Sequence, residues 1–217
     1  MIGAVSATRP LHRTSTVDAL AQALRQQILD GELPPGAWLR ERELCEAYGV
    51  ARHSLRAALR QLAAEGLVRI EPHRGAHVVE LSADELRWLY ELRASLELEA
   101  AHLALERGGG RLPLEVHEAL ARLEAACAGD DPPWSEVNAA HTALHAAIVA
   151  AAGSPRITAA HESLSGEMHL FLLALRPHVA ARELAEDHAA LVRGLESDGP
   201  EVLREHLRRS AETLTRA

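Results

Sequence analysis

Two histidines, His141 and His145, stand four residues apart in a segment with helical periodicity. Residues at this spacing project from one face of a helix, so both imidazoles would point the same way. Two such rings can hold one divalent cation when a further ligand comes from another helix. A chain with 13 histidines contains some pair at this spacing by chance. The pair is therefore a candidate metal site, with a metal-free polar pocket or a pair of surface histidines as the alternatives.

A second group of polar residues could bind the phosphates and base edges of nucleic acid. The arginine fork holds guanine through two hydrogen bonds or grips a phosphate. Four candidates lie together at the start of one segment with helical spacing: Arg52, His53, Ser54 and Arg56. Three more lie on neighbouring segments: Arg42, His73 and Arg74. Any single one could be a solvated surface side chain, but the set as a whole favours nucleic-acid binding.

The charge of the chain is divided unevenly, which supports that interpretation. Residues 1–80 hold ten arginines against nine acidic residues, and residues 81–217 hold thirteen against twenty-two. The first part is therefore near +1 and the second near −9, which together give the net charge of −8. A polyanion attracts the first part and repels the second, so the division would orient the molecule on it.

Three short helices and a β-hairpin are predicted to position the arginines. The first helix begins at Thr16, a residue type that caps helices, and ends at Gly31. The second and third helices run from about 42 to 48 and from about 52 to 65, and the strands from 67 to 71 and from 76 to 80. This order describes a winged helix-turn-helix, whose second helix of the pair, 52–65, would enter a major groove.

The rest of the chain is predicted to be an all-helical bundle. Ser82 to Glu85 forms a capping-box pattern that opens its first helix. Five more helices follow, at about 113–128, 134–152, 155–176, 178–197 and 200–216. The fold class is thus mainly α, with a flexible N-terminus over 1–14, a winged helix-turn-helix over 15–80, a linker over 81–83 and a six-helix bundle over 84–217.

Composition restricts the class of protein further. Hydrophobic residues make up 47% and charged residues 25% of the chain, the balance of a soluble globular protein. The sequence has no apolar run long enough for a membrane helix and no signal-peptide pattern at its N-terminus. We therefore expect a cytoplasmic protein without a membrane partner, in which Cys45 and Cys127 are reduced and packed as small apolar residues.

Several motifs occur together in residues 17–80. They are Ile28-x-x-Gly31-x-Leu33-Pro34-Pro35-Gly36, Arg42-Glu43-Leu44, Tyr48-Gly49-Val50-Ala51-Arg52, Leu55-Arg56-x-Ala58-Leu59 and Glu65-Gly66-Leu67-Val68. In combination they resemble the DNA-binding domain of the GntR family of transcription regulators. The resemblance implies that the family's DNA-contacting positions are Arg42, Arg52, His53, Ser54, Arg56 and His73. Ala51 departs from the usual Ser, a helix cap whose loss typically costs ~1 kcal/mol.

Other motifs extend the resemblance to the bundle. Tyr90-Glu91-Leu92-Arg93-x-x-Leu96-Glu97, His141-x-x-x-His145 and a later His188 are similar to the FCD-type effector domain of the FadR-like subgroup. Family members often bind a metal through an Asp and three His. Here His141 stands at the Asp position, which would favour zinc or nickel. The last histidine position falls on Ser210, so the fourth ligand is either His206, one turn earlier, or not a histidine.

Arg93, on the first helix of the bundle, is the candidate for binding an anionic effector. A buried arginine needs a partner, and a carboxylate ligand would provide one. The alternative is an internal salt bridge to Glu97 or Glu162.

The resemblance implies a transcription regulator rather than an enzyme. We expect a homodimeric repressor that binds a double-stranded DNA operator and is controlled by a small organic acid in the bundle. Two alternatives remain from the residues alone: a metal-dependent enzyme built on the bundle, and a DNA-binding protein whose bundle only dimerises. Against the enzyme, the sequence shows no evident general base and no nucleophile motif.

Overall fold

The computed structural model describes residues 15–215. The flexible segment predicted for residues 1–14 lies outside them. The N-terminal domain contains three helices and three short strands in the order α1 (Thr16–Leu29), β1 (Trp38–Leu39), α2 (Glu41–Tyr48), α3 (Arg52–Ala64), β2 (Val68–Glu71) and β3 (Gly75–Val78). The predicted helix-turn-helix and hairpin are therefore both present, within one residue or two of the predicted bounds.

Helix α1 begins with a cap that differs from the predicted one. Ser15, not Thr16, is the N-cap, and its hydroxyl accepts a hydrogen bond from the backbone N–H of Asp18 at 3.1 Å. The Asp18 carboxylate in turn accepts from the backbone N–H of Ser15 at 3.2 Å. This reciprocal pair satisfies two of the N–H groups that the start of a helix leaves without partners.

The three strands form one antiparallel sheet in the order β1-β3-β2. Strand β1, which the sequence did not predict, adds only two residues and pairs Trp38 with His77. The sheet and the three helices enclose an apolar core that includes Leu24, Ile28 and Leu55, all fully buried. Burial of this shared core holds helix α3 and the hairpin in fixed relative positions.

The C-terminal domain contains seven helices among the described residues. They are α4 (Ala83–Arg107), α5 (Leu114–Ala126), α6 (Trp134–Ala151), α7 (Pro155–Glu162), α8 (Ser165–Leu175), α9 (Ala181–Asp198) and α10 (Glu201–Thr215). The prediction of six helices is wrong because the segment 155–176 is broken after Glu162. The Ser163 hydroxyl hydrogen-bonds to the carbonyl of Ala160 at 2.7 Å, a local contact that competes with continuation of the helix.

The two domains pack directly on each other. Leu170 of helix α8 is buried in the apolar core of the N-terminal domain. At the end of α1, the Asp30 carboxylate accepts a hydrogen bond from the backbone N–H of Ser135 at 3.1 Å, near the start of α6. The Asp30 carbonyl accepts another from Arg176 at 2.8 Å. Helix α6, which carries His141 and His145, is therefore tied at its first turn to the N-terminal domain. Over residues 15–215, no helix is both long and apolar enough to span a bilayer.

Candidate nucleic-acid interface and metal centre

Helix α3 presents its N-terminal end to solvent. Arg52, His53 and Arg56 are exposed and Ser54 is half-buried, whereas Leu55 on the opposite face is fully buried. The N-cap is Ala51, which provides no side-chain hydrogen bond to the first turn. The free backbone N–H groups of this turn and the positive end of the helix dipole favour an anion.

Two of the candidate arginines, Arg56 on α3 and Arg42 on α2, contact acidic side chains of helix α2. Nε of Arg56 donates to Oε1 of Glu41 at 2.8 Å, and this hydrogen bond raises the pKa of Arg56. Nη1 of Arg42 lies 3.5 Å from Oε1 of Glu46, and both side chains are more than two-thirds exposed. Exposed pairs of this kind contribute little free energy and exchange readily for another anion.

The hairpin turn places two more of the predicted residues beside α3. His73 adopts a positive φ of 62°, the left-handed conformation that tight turns use. Arg74 is exposed, forms an ion pair with Glu71 at 2.8 Å and lies 5.6 Å from the centre of the Trp38 ring. The turn therefore holds its two basic side chains on the solvent side of the wing.

A groove of about 510 Å³ separates helix α3 from the wing. Three predicted residues line it, namely Arg56, His73 and Arg74. The others, Arg42, Arg52, His53 and Ser54, lie outside its lining, on α2 and the first turn of α3. The sequence interpretation did not select Glu41 and Arg60, which also line the groove. The i+4 spacing of Arg60 from Arg56 was a signal for its presence on the same face.

Four histidines meet in the interior of the C-terminal domain. His141 and His145 come from α6, His188 from α9 and His206 from α10, and each is at most 3% exposed. One nitrogen from each of the first three lies within 4.8 Å of the others. The His206 ring centre lies 4.6 Å from that of His188 and 5.7 Å from that of His145. The structure thus brings together the histidines of the predicted set.

Asp187 and Ser210 both contact His206. Nδ1 of His206 lies 2.8 Å from a carboxylate oxygen of Asp187, and the imidazole lowers the pKa of Asp187 to about 2. The hydroxyl of Ser210 donates to the backbone carbonyl of His206 at 3.1 Å, so Ser210 supports the turn that carries this histidine. His188 and His206 also form, with Asp187, a second group of possible ligands.

Glu97 of helix α4 connects the arginine predicted to bind an effector with the histidine cluster. Its Oε1 accepts from Nε of Arg93 at 2.8 Å and lies 3.2 Å from Nε2 of His161. Its Oε2 lies 2.7 Å from Nδ1 of His145. The salt bridge between Arg93 and Glu97 is therefore present, while Glu162 is exposed. Nη2 of Arg93 is buried without a hydrogen-bond partner among residues 15–215.

Burial sets the charge state of these groups. Desolvation lowers the pKa of His141 and His188 well below the usual range and that of His145 to about 4. Burial alone would raise the pKa of Glu97, but Arg93 and His145 beside it hold the pKa well below its ordinary value. Near neutral pH His141, His145 and His188 are therefore uncharged, the form that ligates metals, and Glu97 is ionised.

The hydrogen bonds made by Nδ1 of His145 and Nδ1 of His188 leave the Nε2 lone pairs of the two rings facing each other. Ionised Glu97 only accepts, so His145 donates from Nδ1 and keeps a lone pair on Nε2. His188 donates from Nδ1 to the carbonyl of Leu184 at 2.7 Å, so its Nε2 also carries a lone pair. The two Nε2 atoms lie 3.3 Å apart, and Nδ1 of His141 is buried without a hydrogen-bond partner among the described residues. Such a donor set fits a divalent cation, because a cation satisfies acceptors that the protein alone leaves opposed.

The sequence interpretation missed His161 and Asp187. His161 lies 64 residues from Glu97 in the chain, and no spacing rule joins the two. Asp187 precedes His188, but on a helix adjacent residues do not share a face, and the contact is made instead with His206 of α10. Neither residue could be identified without the fold of the bundle.

Two family models match the chain in sequence order. Residues 16–78 match the model of the bacterial regulatory proteins of the gntR family. Residues 88–213 match the FCD domain. GntR regulators bind DNA operators, typically as dimers, and some FCD domains bind metal ions.

Known proteins are similar over nearly the whole chain. The HTH-type transcriptional repressor GlaR of Escherichia coli K12 is 32% identical over 85% of this chain and 89% of its own. A protein from Paenarthrobacter nicotinovorans, named as a transcriptional repressor of a D-xylose utilization operon, is 30% identical over 92% and 86%. The crystal structure of a GntR transcriptional regulator from Rhodococcus sp. RHA1 superposes with a TM-score of 0.71 at 27% identity, over 93% and 98%. The chain belongs to the GntR family of DNA-binding transcriptional regulators, in the group that carries an FCD domain, and not to an enzyme family.

Proposed function

We propose that the chain is a homodimeric repressor whose affinity for a DNA operator is controlled by a metal-supported organic acid site in the FCD domain. The first turn of helix α3 would enter the major groove, with Arg52, His53, Ser54 and Arg56 at base edges and phosphates. The wing residues His73 and Arg74, together with Arg42, would contact the flanking backbone. Repression by the named relatives supports the direction of control.

One observation carries the DNA-binding part of the proposal. The arginines of α3 are exposed on the face opposite the buried leucines, and the wing holds its basic turn across one groove from Arg56. A duplex docked on this face would replace the weak contacts to Glu41 and Glu46 with phosphate or guanine contacts, which the arginine fork makes in pairs.

Operator binding by single variants tests this part. Arg52→Ala and Arg56→Ala should each weaken binding by ~1–3 kcal/mol if they read base edges. The operator is first recovered from genomic fragments bound by the purified protein, and affinity is then measured by fluorescence anisotropy. Arg182→Ala, at an exposed position on α9, is the control and should bind like the wild type. Wild-type affinity in both α3 variants would refute the assignment.

The effector part rests on Arg93. Its side chain is 2% exposed, its Nε donates to Glu97 and its Nη2 has no partner among the described residues. A carboxylate ligand would supply the missing acceptor, and a metal held by His141, His145, His188 and His206 would supply a second positive anchor for the same anion. Binding that favours one arrangement of the two domains then changes operator affinity.

Metal binding is tested on protein stripped with a chelator. Adding Ni²⁺ or Zn²⁺ should raise the midpoint of thermal unfolding, because a ligand that binds only the folded state stabilises it. His188→Ala should abolish most of this rise, whereas His102→Ala, at an exposed position on α4, should preserve it. No rise in the wild type with either ion would contradict the metal centre. Small carboxylic acids can then be screened in the same assay against the wild type and Arg93→Ala, and equal shifts in the two would remove Arg93 from the effector site.

A further inference from the structure

We infer that Glu97 is the positioning residue that makes His145 a metal ligand, by fixing which ring nitrogen of His145 carries the proton. The inference rests on the metal centre proposed above. The observation that supports it separately is that the two carboxylate oxygens of Glu97 accept hydrogen bonds from different donors. Oε1 serves two donors, Arg93 at 2.8 Å and His161 at 3.2 Å. Oε2 serves one, Nδ1 of His145 at 2.7 Å.

The carboxylate leaves His145 a single tautomer. Both oxygens of an ionised carboxylate accept and neither donates, so the proton must be on Nδ1 of His145. Nε2 is then a lone pair aimed at the other histidines, 3.3 Å from Nε2 of His188. Histidine ligands of metals are generally oriented by such a partner on the other nitrogen. Glu97 itself lies on α4 and hydrogen-bonds to Nδ1 of His145, not to either of the two facing Nε2 atoms. It therefore acts through His145.

A glutamine at position 97 would reverse the tautomer. An amide has one oxygen and one NH₂ group in place of two equivalent oxygens. The oxygen would stay where Arg93 and His161 both donate, since an NH₂ group there would oppose two donors at once. The NH₂ group would then face Nδ1 of His145 and donate to it. The proton of His145 would move to Nε2, where it blocks the lone pair that a metal requires.

The experiment compares wild type, Glu97→Gln and Glu162→Gln in two measurements. The first is nitrogen-15 NMR of histidine side chains in metal-free protein, with the His145 signals assigned by their loss in His145→Gln. We expect the Nδ1–H tautomer in the wild type and in Glu162→Gln, and the Nε2–H tautomer in Glu97→Gln. The second is calorimetric titration with Ni²⁺ alone, in which Glu97→Gln should bind ~10–100-fold more weakly. Glu162 is exposed on α7, so its variant is a matched loss of one acidic charge.

Folding is kept separate from positioning by a second variant. Glu97→Gln leaves Arg93 buried without a charged partner, whereas Arg93→Met/Glu97→Gln removes both charges together and is the better tolerated change. The amide of the double variant can face His145 with either end, because the proton of His161 can move to suit it. The Nδ1–H tautomer of His145 should therefore be less populated than in the wild type, and Ni²⁺ binding should be weaker. An Nε2–H tautomer in the wild type, or an unchanged tautomer and Ni²⁺ affinity in the folded variants, would overturn the inference. A wild type that has the Nδ1–H tautomer but binds neither Ni²⁺ nor Zn²⁺ would overturn the proposed metal centre, and with it any ligand role for His145.

Discussion

The molecule uses the same contact, an arginine Nε on a glutamate oxygen at 2.8 Å, in two different environments. In the N-terminal domain Arg56 meets Glu41 with side chains 60% and 27% exposed. In the C-terminal domain Arg93 meets Glu97 with side chains 2% and 1% exposed. The distance is identical, so the difference between the two pairs lies in what surrounds them.

Solvent decides what each pair can do. In water the attraction is weak, and the arginine can exchange its glutamate for a phosphate at small cost. In the bundle interior neither charge can leave without stranding the other in a medium of low polarity. The exposed pair is therefore suited to a surface that binds and releases DNA, and the buried pair to a fixed framework for the histidine cluster.

The largest expected effect comes from breaking the buried pair. Arg93→Met should lower the free energy of unfolding by ~3–5 kcal/mol, because it leaves Glu97 buried without its cation. Chemical denaturation of metal-free protein measures the loss. Arg87→Met, on the exposed face of the same helix, should change stability by less than ~0.5 kcal/mol.

The double variant shows whether charge or packing is responsible. If the loss comes from the stranded carboxylate, Arg93→Met/Glu97→Gln should be more stable than Arg93→Met alone. A double variant that is no more stable than Arg93→Met would show that the stranded carboxylate does not cause the loss. The lost packing of the guanidinium against Tyr90 and Phe171, whose ring centres lie 5.6 and 5.9 Å away, would then be its source.

A smaller effect is expected at the contact between the two regions. A Cβ atom added to Gly166 would lie 1.5 Å from the carbonyl oxygen of Glu65, so Gly166→Ala must push helix α8 away from the N-terminal domain. Overpacking of this kind typically costs ~1–3 kcal/mol. Denaturant unfolding should report the loss, and limited proteolysis should show faster cleavage between the domains, near residues 79–82.

Gly194→Ala is the matched control for this contact. It also adds one methyl group to a helix of the C-terminal domain, but its Cβ would meet Val202 at an ordinary 3.4 Å. Equal stability and equal cleavage of the two variants would show that the domains are not held together at Gly166.

The two regions also differ in how far the sequence predicts them. The fold of the N-terminal domain is predicted almost completely, because its helices and turns follow one another within 63 residues that match a single family model. Its errors are small and local. Strand β1 has two residues, too few for any periodicity, and the Ser15 cap could have been chosen over Thr16 from Asp18 three residues later.

The histidine cluster was predicted only as far as the family motif reaches. His141, His145 and His188 occupy motif positions, but the sequence alone does not decide whether His206 replaces the last histidine of the motif. The links made by Glu97 to His145 and His161 span 48 and 64 residues and depend on how α4, α6 and α7 cross. The break between α7 and α8 falls at Ser163 and Leu164. Neither is a Gly or a Pro, the residue types that would have predicted it. Contacts fixed by packing rather than by local spacing leave no such pattern in one sequence.

The smallest expected effect concerns the exposed pair. In the proposed interface Glu41 competes with DNA for Arg56, so Glu41→Gln should raise operator affinity, by at most ~1 kcal/mol since surface pairs contribute no more than that. That corresponds to about a fivefold change in Kd, measured by fluorescence anisotropy at constant salt. Glu46→Gln removes an equal charge from the same helix but frees Arg42 from a longer contact of 3.5 Å, so its gain should be smaller.

If the gain in operator affinity of Glu41→Gln comes from the release of Arg56, it must disappear in the Arg56→Ala background. Removing an acid near a polyanion also helps through general electrostatics, which does not depend on residue 56. The cycle of Glu41→Gln, Arg56→Ala and the double variant separates these contributions, since only the coupling energy reports the competition. A coupling near zero would mean that Arg56 leaves Glu41 at no cost, and the exposed pair would then have no influence on operator binding.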